Sequence, residues 1–268
     1  MSHENLTYCG EVVKSHDPDR FLLSMFMPSE HRSALWVLFA FNYEIAKTRE
    51  VVTETQLGLI RLQWWREAID KIYAHEDFPS EKTIEALAEV IRKYDLPKEN
   101  FETLIYAREF DLEDVAPADI PGLYNYTDFT STPLMRLVLK VLGAEDEAEP
   151  VQQVAVNYAL AGLMRSARHH WRQSRLYLPK DLTQQHNIKP SQLFALKEQA
   201  ELPKVIEVVC EQILEDLTPE HKFLRLSQKM AVMTKHKLRK YGYNPLHPKA
   251  LLSPAFRELR LALSAAMA

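Results

Sequence analysis

The chain has 268 residues, enough for one large hydrophobic core or two small ones. Its 46% hydrophobic and 26% charged content is ordinary for a folded globular protein, but only six glycines argue against all-β and dinucleotide-binding architectures, which need glycine in turns and phosphate loops. A net charge of −4 argues against nucleic acid as a partner. The fifteen prolines are dispersed, as helix punctuation would be. Cys9 and Cys210 lie in no CxxC and at no zinc-like spacing from histidine, so a reducing compartment is expected. The N-terminal residues show neither a basic segment followed by an apolar one nor an arginine-rich stretch, so no signal or transit peptide is expected, which suits a bacterial or a trimmed chain. The longest apolar run, Ala34 to Phe41, is far shorter than the roughly 20 residues of a membrane-spanning helix.

Taken in order, the chain reads as helices throughout. A short one is expected over 5–15. Asp17-Pro18-Asp19 supplies an N-cap, a proline at the first helical position and an acid in the first turn, opening a helix to about Met27. Pro28-Ser29-Glu30 opens the next, to about Val51, which is apolar all round from Ala34 to Phe41 and therefore central. Glu54 to Ala74 is amphipathic; adjacent Trp64 and Trp65 diverge by about 100°, so one is expected inside and the other toward solvent. Further helices are expected over Ser80–Tyr94, Pro97 to about Val115, Tyr124–Leu142 with Gly143 just past its end, Pro150 to about Arg172, Leu202–Leu217, Pro219–Leu238 and His247–Ala266. Glu145 to Glu149 is an acidic connection. With no repeat and no break in composition, one all-α domain over 1–268 is the economical reading.

One stretch stands apart. From Ala159 to Pro179 an apolar helix turns abruptly basic, with Arg165, Arg168, His169, His170, Arg172 and Arg175, and closes on Arg175-Leu176-Tyr177-Leu178-Pro179. Cations in a last helical turn are favoured by the helix dipole, by about 0.3–1 kcal/mol each, so a solvated helix end is one reading. A metal-free anion site, with Arg165, His169 and Arg175 as contacts to a phosphate or lipid headgroup, is the other. Adjacent His169 and His170 point too far apart to make a good metal pair. Tyr177 reads either as a pocket hydroxyl or as a packed ring. Asp111, Glu113 and Asp114 form a dense acidic stretch, read either as a lone magnesium site or as a solvated helix face.

Three segments carry a resemblance. Met27-Pro28-x-x-x-Arg32-x-Ala34 with Leu38-Phe39-Ala40-Phe41-Asn42, then Glu109-Phe110-Asp111-Leu112, then Leu163-Met164-Arg165 with Arg175-Leu176-Tyr177-Leu178-Pro179 resemble, in order, motifs of the squalene/phytoene synthase family. The resemblance covers roughly residues 8 to 260. It implies the all-α isoprenoid synthase type I fold, a helical bundle around a central cavity. In that family two aspartate-rich helical segments hold magnesium ions, which bind and ionise a prenyl diphosphate. Carboxylates suit that hard cation, and they stabilise the leaving group only through it.

Both metal segments depart from the family pattern. In the first, the paired aspartates fall on Ala46 and Lys47, and the aspartate that completes the set falls on Glu50. Glu44 is six residues from Glu50, about 240° around a helix, and does not share its face. In the second, the acidic positions fall on Ser166, His169 and His170, and no carboxylate stands between Glu149 and Asp181. On a continuous helix Arg165, His169 and Arg172 share one face, and Ser166 and His170 another. Such a site repels magnesium, so no cofactor and no metal site are expected.

The pattern, with Phe41-Asn42-x-Glu44-Ile45-Ala46, Leu59-Ile60-Arg61-Leu62-Gln63-Trp64-Trp65 and Asp111-Leu112-Glu113-Asp114, resembles the pseudo-synthase branch of the family that includes the mitochondrial complex I assembly factors and their bacterial relatives. That resemblance implies a chain without catalytic residues that acts in assembly of respiratory NADH dehydrogenase, with complex I subunits or assembly intermediates as partners. The expected location is the cytoplasm, in peripheral contact with the inner face of the plasma membrane, or the matrix side of the mitochondrial inner membrane in a eukaryote. The alternatives are a prenyl-diphosphate transferase with a modified diphosphate site and a lipid or prenyl-diphosphate binding protein without turnover. The candidate cavity and anion-binding residues are Arg32, Glu44, Lys47, Glu50, Arg165, Ser166, His169, His170, Arg175 and Tyr177. Arg32 is expected to reach the cavity or to pair with Glu50.

Overall fold

The computed structural model describes residues 3–144, 148–250 and 252–266, so residues 145–147 of the acidic connection lie outside the described residues. Among the described residues there is no strand, and no helix is long and apolar enough to cross a membrane. The chain divides into two compact units. One comprises Met1–Glu113 and Pro133–Glu147, the other Asp114–Thr132 and Ala148–Ala268.

The first unit holds α1 (His3–His16), α2 (Pro18–Met25), α3 (Ser29–Ala46), α4 (Thr48–Val51), α5 (Thr55–Ala74), α6 (Lys82–Tyr94) and α7 (Lys98–Phe110). Asp17 caps α2 as expected, its Oδ1 accepting from the Arg20 amide at 3.1 Å. Glu81 caps α6, accepting from the Ile84 amide at 3.0 Å. The central helix is α3, which packs on α1, α2, α6 and α7. Its run from Ala34 to Phe41 is buried on every side except Trp36. Phe41 meets Trp65 of α5 and Phe101 of α7 edge-on, at centroid distances of 5.6 and 5.4 Å. Trp65 is buried and Trp64 partly exposed, as their divergence on α5 requires. Gly58 lets α5 approach the chain just after α7: a Cβ there would sit 2.5 Å from Leu112 Cδ2.

The second unit takes up the start of α8 (Ile120–Val141), whose later residues, from Pro133, belong to the first unit. Gly143, at φ +69, ends α8 with its amide on the Lys140 carbonyl and the Ala144 amide on that of Leu139, the left-handed stop expected of a glycine there. Then come α9 (Ala148–Arg165), α10 (Ala167–Arg172), α11 (Lys180–Gln185), α12 (Pro190–Phe194), α13 (Leu202–Glu211), α14 (Lys222–Lys240) and α15 (Arg257–Ala266). α14 packs along α9, and α13 and α15 also pack on this pair. One core gathers Leu160, Met164, Trp171, Val205, Val209 and Leu238 among others. Cys9 and Cys210 are free and buried, one in each unit; burial pushes each thiol up to about 12.

Several boundaries differ from the sequence reading. The helix expected to reach Val51 stops at Ala46 and resumes at Thr48; that expected over Pro150–Arg172 is interrupted at Ser166. The segment Leu202–Leu217 is helical only to Glu211, because both backbone groups of Leu214 are taken by the Asn157 side chain, at 3.0 and 3.1 Å. The helix expected from Pro97 to Val115 ends at Phe110. α8 begins four residues earlier than expected, since Pro121 sits in its first turn, where a missing N–H costs nothing. The described residues of 247–250 and 252–256 form turns, bends and irregular chain rather than helix, with Pro248, Pro254 and the left-handed Phe256 (φ +55) among them, and the last helix starts only at Arg257.

Candidate functional site

The two segments expected to carry function lie in different units. In the first, α3 leaves the apolar core at Asn42 and yet stays buried: Asn42, Glu44 and Ile45 are all buried. A buried carboxylate needs partners, and Glu44 has two. Its Oε1 accepts from Lys47 Nζ at 2.6 Å, and its Oε2 from Arg61 Nη2 of α5 at 3.0 Å. The first contact is an i,i+3 pair, which helical geometry brings together. The Lys47 amide still bonds the Tyr43 carbonyl at 2.9 Å, then the Glu50 and Val51 amides both turn onto the Lys47 carbonyl, at 2.8 and 3.2 Å.

Lys47 also lies 5.0 Å from the Tyr43 ring centroid, and His16 stacks on that ring at 4.3 Å. Burial, then the negative charges of Glu50 and Glu44, raise the Tyr43 phenol above its usual range. Glu50 itself is exposed on α4. Arg32 is half-buried, and its Nε closes the turn between α2 and α3 by donating to the Met27 carbonyl at 2.9 Å rather than pairing with Glu50. Beside Glu44 in sequence, Asn42 accepts from Arg108 at 3.3 Å, and Arg108 also reaches Asp111 at 3.4 Å. Asp111 is thus a buried, paired acid in the turn after α7, not part of a solvated helix face; Glu113 and Asp114 are exposed.

In the second unit, α9 ends at Arg165, and the amides of His169 and His170 both turn onto the Ser166 carbonyl, at 2.9 and 3.1 Å, to start α10. Ser166 and Arg165 are half-buried, and His169 is exposed, with Gln173 Nε2 3.3 Å from its Nε2. Ser174, left-handed at φ +58, reverses the chain, and the Arg175 amide bonds the His170 carbonyl at 2.9 Å. The turn collects an aromatic group. Tyr177 stacks on Tyr126 of α8 at 5.1 Å, His170 meets it edge-on at 4.9 Å, and the buried Arg175 guanidinium lies 5.4 Å from its ring centroid. Of the expected cations, then, Arg175 faces a tyrosine ring, while His169 faces outward.

The squalene/phytoene synthase profile matches residues 13–254. The chain belongs to the squalene/phytoene synthase family. In sequence it is similar to the NADH dehydrogenase (ubiquinone) complex I, assembly factor 6 of Bos taurus, 28% identical over 207 residues, which cover 76% of this chain and 62% of that protein. The Homo sapiens assembly factor 6 is 26% identical over the same length, with the same coverage, so the chain spans less than two thirds of these relatives. In structure it is similar to squalene synthase HpnC from Alicyclobacillus acidocaldarius, with a TM-score of 0.75, 21% identity and coverage of 90% of this chain and 95% of that one. A dehydrosqualene synthase solved with a ligand gives a TM-score of 0.78 at 15% identity, covering 98% and 96%. The fold is thus that of the isoprenoid synthases.

The helices are interrupted at Lys47 and at Ser166, two of the positions at which the motif resemblance would expect an acid. Magnesium takes carboxylate oxygens. Here Glu44 has both of its oxygens on cations, and the second segment offers Ser166, His169 and His170 at the motif positions. Among the described residues, no three His, Cys, Asp or Glu side chains gather so as to hold a metal ion. Sequence reasoning did not single out Arg61 as the partner of Glu44, Tyr126 as the partner of Tyr177, or Arg108 as the partner of Asp111. Arg61 and Tyr126 come from distant segments, whereas Arg108 lies only three residues before Asp111, a helical spacing that was legible in the sequence.

Proposed function

We propose that this is a non-catalytic squalene/phytoene synthase family member that acts in assembly of respiratory NADH dehydrogenase, as the name of its bovine and human relatives suggests, and works at the membrane surface without magnesium. The observation that carries the proposal is Glu44. It is a buried carboxylate in the first motif segment, and its two oxygens are already engaged by Lys47 and Arg61. A carboxylate held this way would have to break two charge-assisted hydrogen bonds before it could serve a metal ion. With Ala46 and Lys47 at the paired positions, the segment has no other buried acid to offer.

The test is genetic and chemical together. Deleting the gene should lower the amount of assembled NADH dehydrogenase while leaving carotenoid and hopanoid levels unchanged. Loss of those isoprenoids with intact NADH dehydrogenase would refute the reading. A second reading, a prenyl-diphosphate binder or a transferase with a rewired diphosphate site, is favoured by one feature: the Arg175-Leu176-Tyr177-Leu178-Pro179 segment keeps a buried arginine and tyrosine. A thermal-shift titration with farnesyl diphosphate separates a binder from an empty scaffold.

A further inference from the structure

In the second unit, far along the sequence from either motif segment, the C-terminal half of α14 and the turn before α15 enclose a cavity of about 350 Å³. Its charged lining is all of one sign. Lys240, Lys249 and Arg260 line it, with His236 and Lys237, and no Asp or Glu does. Among the described residues, Lys240, Lys249 and Arg260 have no carboxylate partner, whereas the neighbouring cations do. His236 pairs with Glu215 at 2.6 Å, Arg239 with Glu211 at 2.9 Å, and Arg257 with Glu258 at 2.9 Å. Lys237 has a structural task, donating Nζ to the Leu252 and Ser253 carbonyls and so holding the turn against α14.

Beside this basic cavity the protein exposes large apolar side chains. Leu252 is 63% exposed, Phe256 75%, Leu259 57% and Leu263 58%. Leu259 and Leu263 are four apart on α15 and share a face, with Arg260 at its edge, while Leu261 points the other way and is buried in the unit. A short helix that is apolar outward as well as inward, with cations that have no carboxylate partner beside it, has the composition of a surface-lying membrane element.

We propose that the α14–α15 cavity and the outer face of α15 form a docking site for an anionic lipid bilayer, with Lys240, Lys249 and Arg260 on the lipid phosphates and Phe256, Leu259 and Leu263 in the interface. Free phosphate would satisfy the cations but leave the apolar side chains in water; a bilayer satisfies both. The proposal deepens the membrane-surface part of the reading above and does not depend on any role in NADH dehydrogenase assembly. A vesicle experiment on the isolated chain therefore fails or succeeds independently of an assembly phenotype.

The experiment is cosedimentation of the full chain with vesicles of phosphatidylcholine alone or doped with phosphatidylglycerol. Binding is expected only to the doped vesicles, and it should weaken with salt. The triple variant Lys240→Gln/Lys249→Gln/Arg260→Gln should lose roughly a hundredfold in partitioning, from three surface cations each attracted to the anionic leaflet. Leu259→Ser/Leu263→Ser should also lose binding with every charge kept, and because all five side chains are exposed, both variants should keep the parent helical circular dichroism. Equal binding to neutral vesicles, or unchanged binding by the triple variant, overturns the proposal. So does stabilisation by inorganic phosphate or capture of an acidic protein segment at this face without any vesicle binding.

Discussion

Lys47 Nζ lies 2.6 Å from Glu44 Oε1, three residues back along the same segment, where the family's motif would place an acid beside an acid. With Arg61 on the other oxygen, both oxygens of this buried carboxylate are engaged by cations of the protein itself. Replacing Glu44 with Gln leaves Lys47 and Arg61 facing each other without the intervening charge. Glu44→Gln is expected to cost about 1–3 kcal/mol, the range for losing charge-assisted hydrogen bonds at a mostly buried acid. Thermal unfolding measures it; a melting temperature equal to the parent's would show that the triad is not structural.

Gly58→Ala tests the packing of α5. On an exposed helix this change would stabilise by about 1 kcal/mol. Here the new Cβ meets both methyl groups of the buried Leu112 at 2.5 and 2.8 Å, closer than real contacts allow. Overpacking of a closed core dominates, and a net loss of about 1–2 kcal/mol is expected. A rise in the unfolding midpoint would mean that Leu112 moves aside at no cost.

Acid stability should be set in part by the second unit. Hydrogen bonds from Arg239 first, then Lys235 and Tyr243, hold the Glu211 carboxyl down at about 2. Glu215 is lowered as well, chiefly by His236. Carboxyls depressed in the folded state contribute stability above their ordinary value of 4.5, and that stability is lost as pH falls from there toward about 2. Both carboxylates are more than a third exposed, so salt should shrink the effect. Glu211→Gln should flatten the acid limb of stability against pH; an unchanged limb would assign acid unfolding to other groups.

Tyr177 is the centre of the aromatic turn. Tyr177→Ala removes a buried ring stacked on Tyr126 and touched by His170 and Arg175, and about 3–5 kcal/mol of destabilisation is expected. The near-ultraviolet circular dichroism of the folded protein should change with it. Retention of both stability and spectrum would place Tyr177 outside the core.

Local signals carried much of the fold. Asp17-Pro18 marked the start of α2, Gly143 the end of α8, and the apolar run Ala34–Phe41 the central helix, because each acts within its own turn. The breaks at Lys47 and Ser166 left no trace, since neither position has glycine or proline and the hydrogen-bond pattern shifts by a single residue. The five- and six-residue helices α12 and α11 are too short to show a period. At the site, Glu44, Lys47 and Glu50 stood out as candidates after Phe41, but without their partners. Glu44 is buried there only because Arg61 arrives from another helix, and the sequence pattern of one segment holds no record of that. Lys240 was equally silent: Lys235, His236 and Arg239 of α14 find acids, and the pattern of one helix does not tell them from Lys240, which has none among the described residues.

The central claim, a synthase scaffold without synthase chemistry, is tested most directly by incubating the protein with farnesyl or geranylgeranyl diphosphate and magnesium and measuring diphosphate release. The account predicts no release above the protein-free control, with or without the metal. Robust, magnesium-dependent release, abolished by chelation, would contradict it.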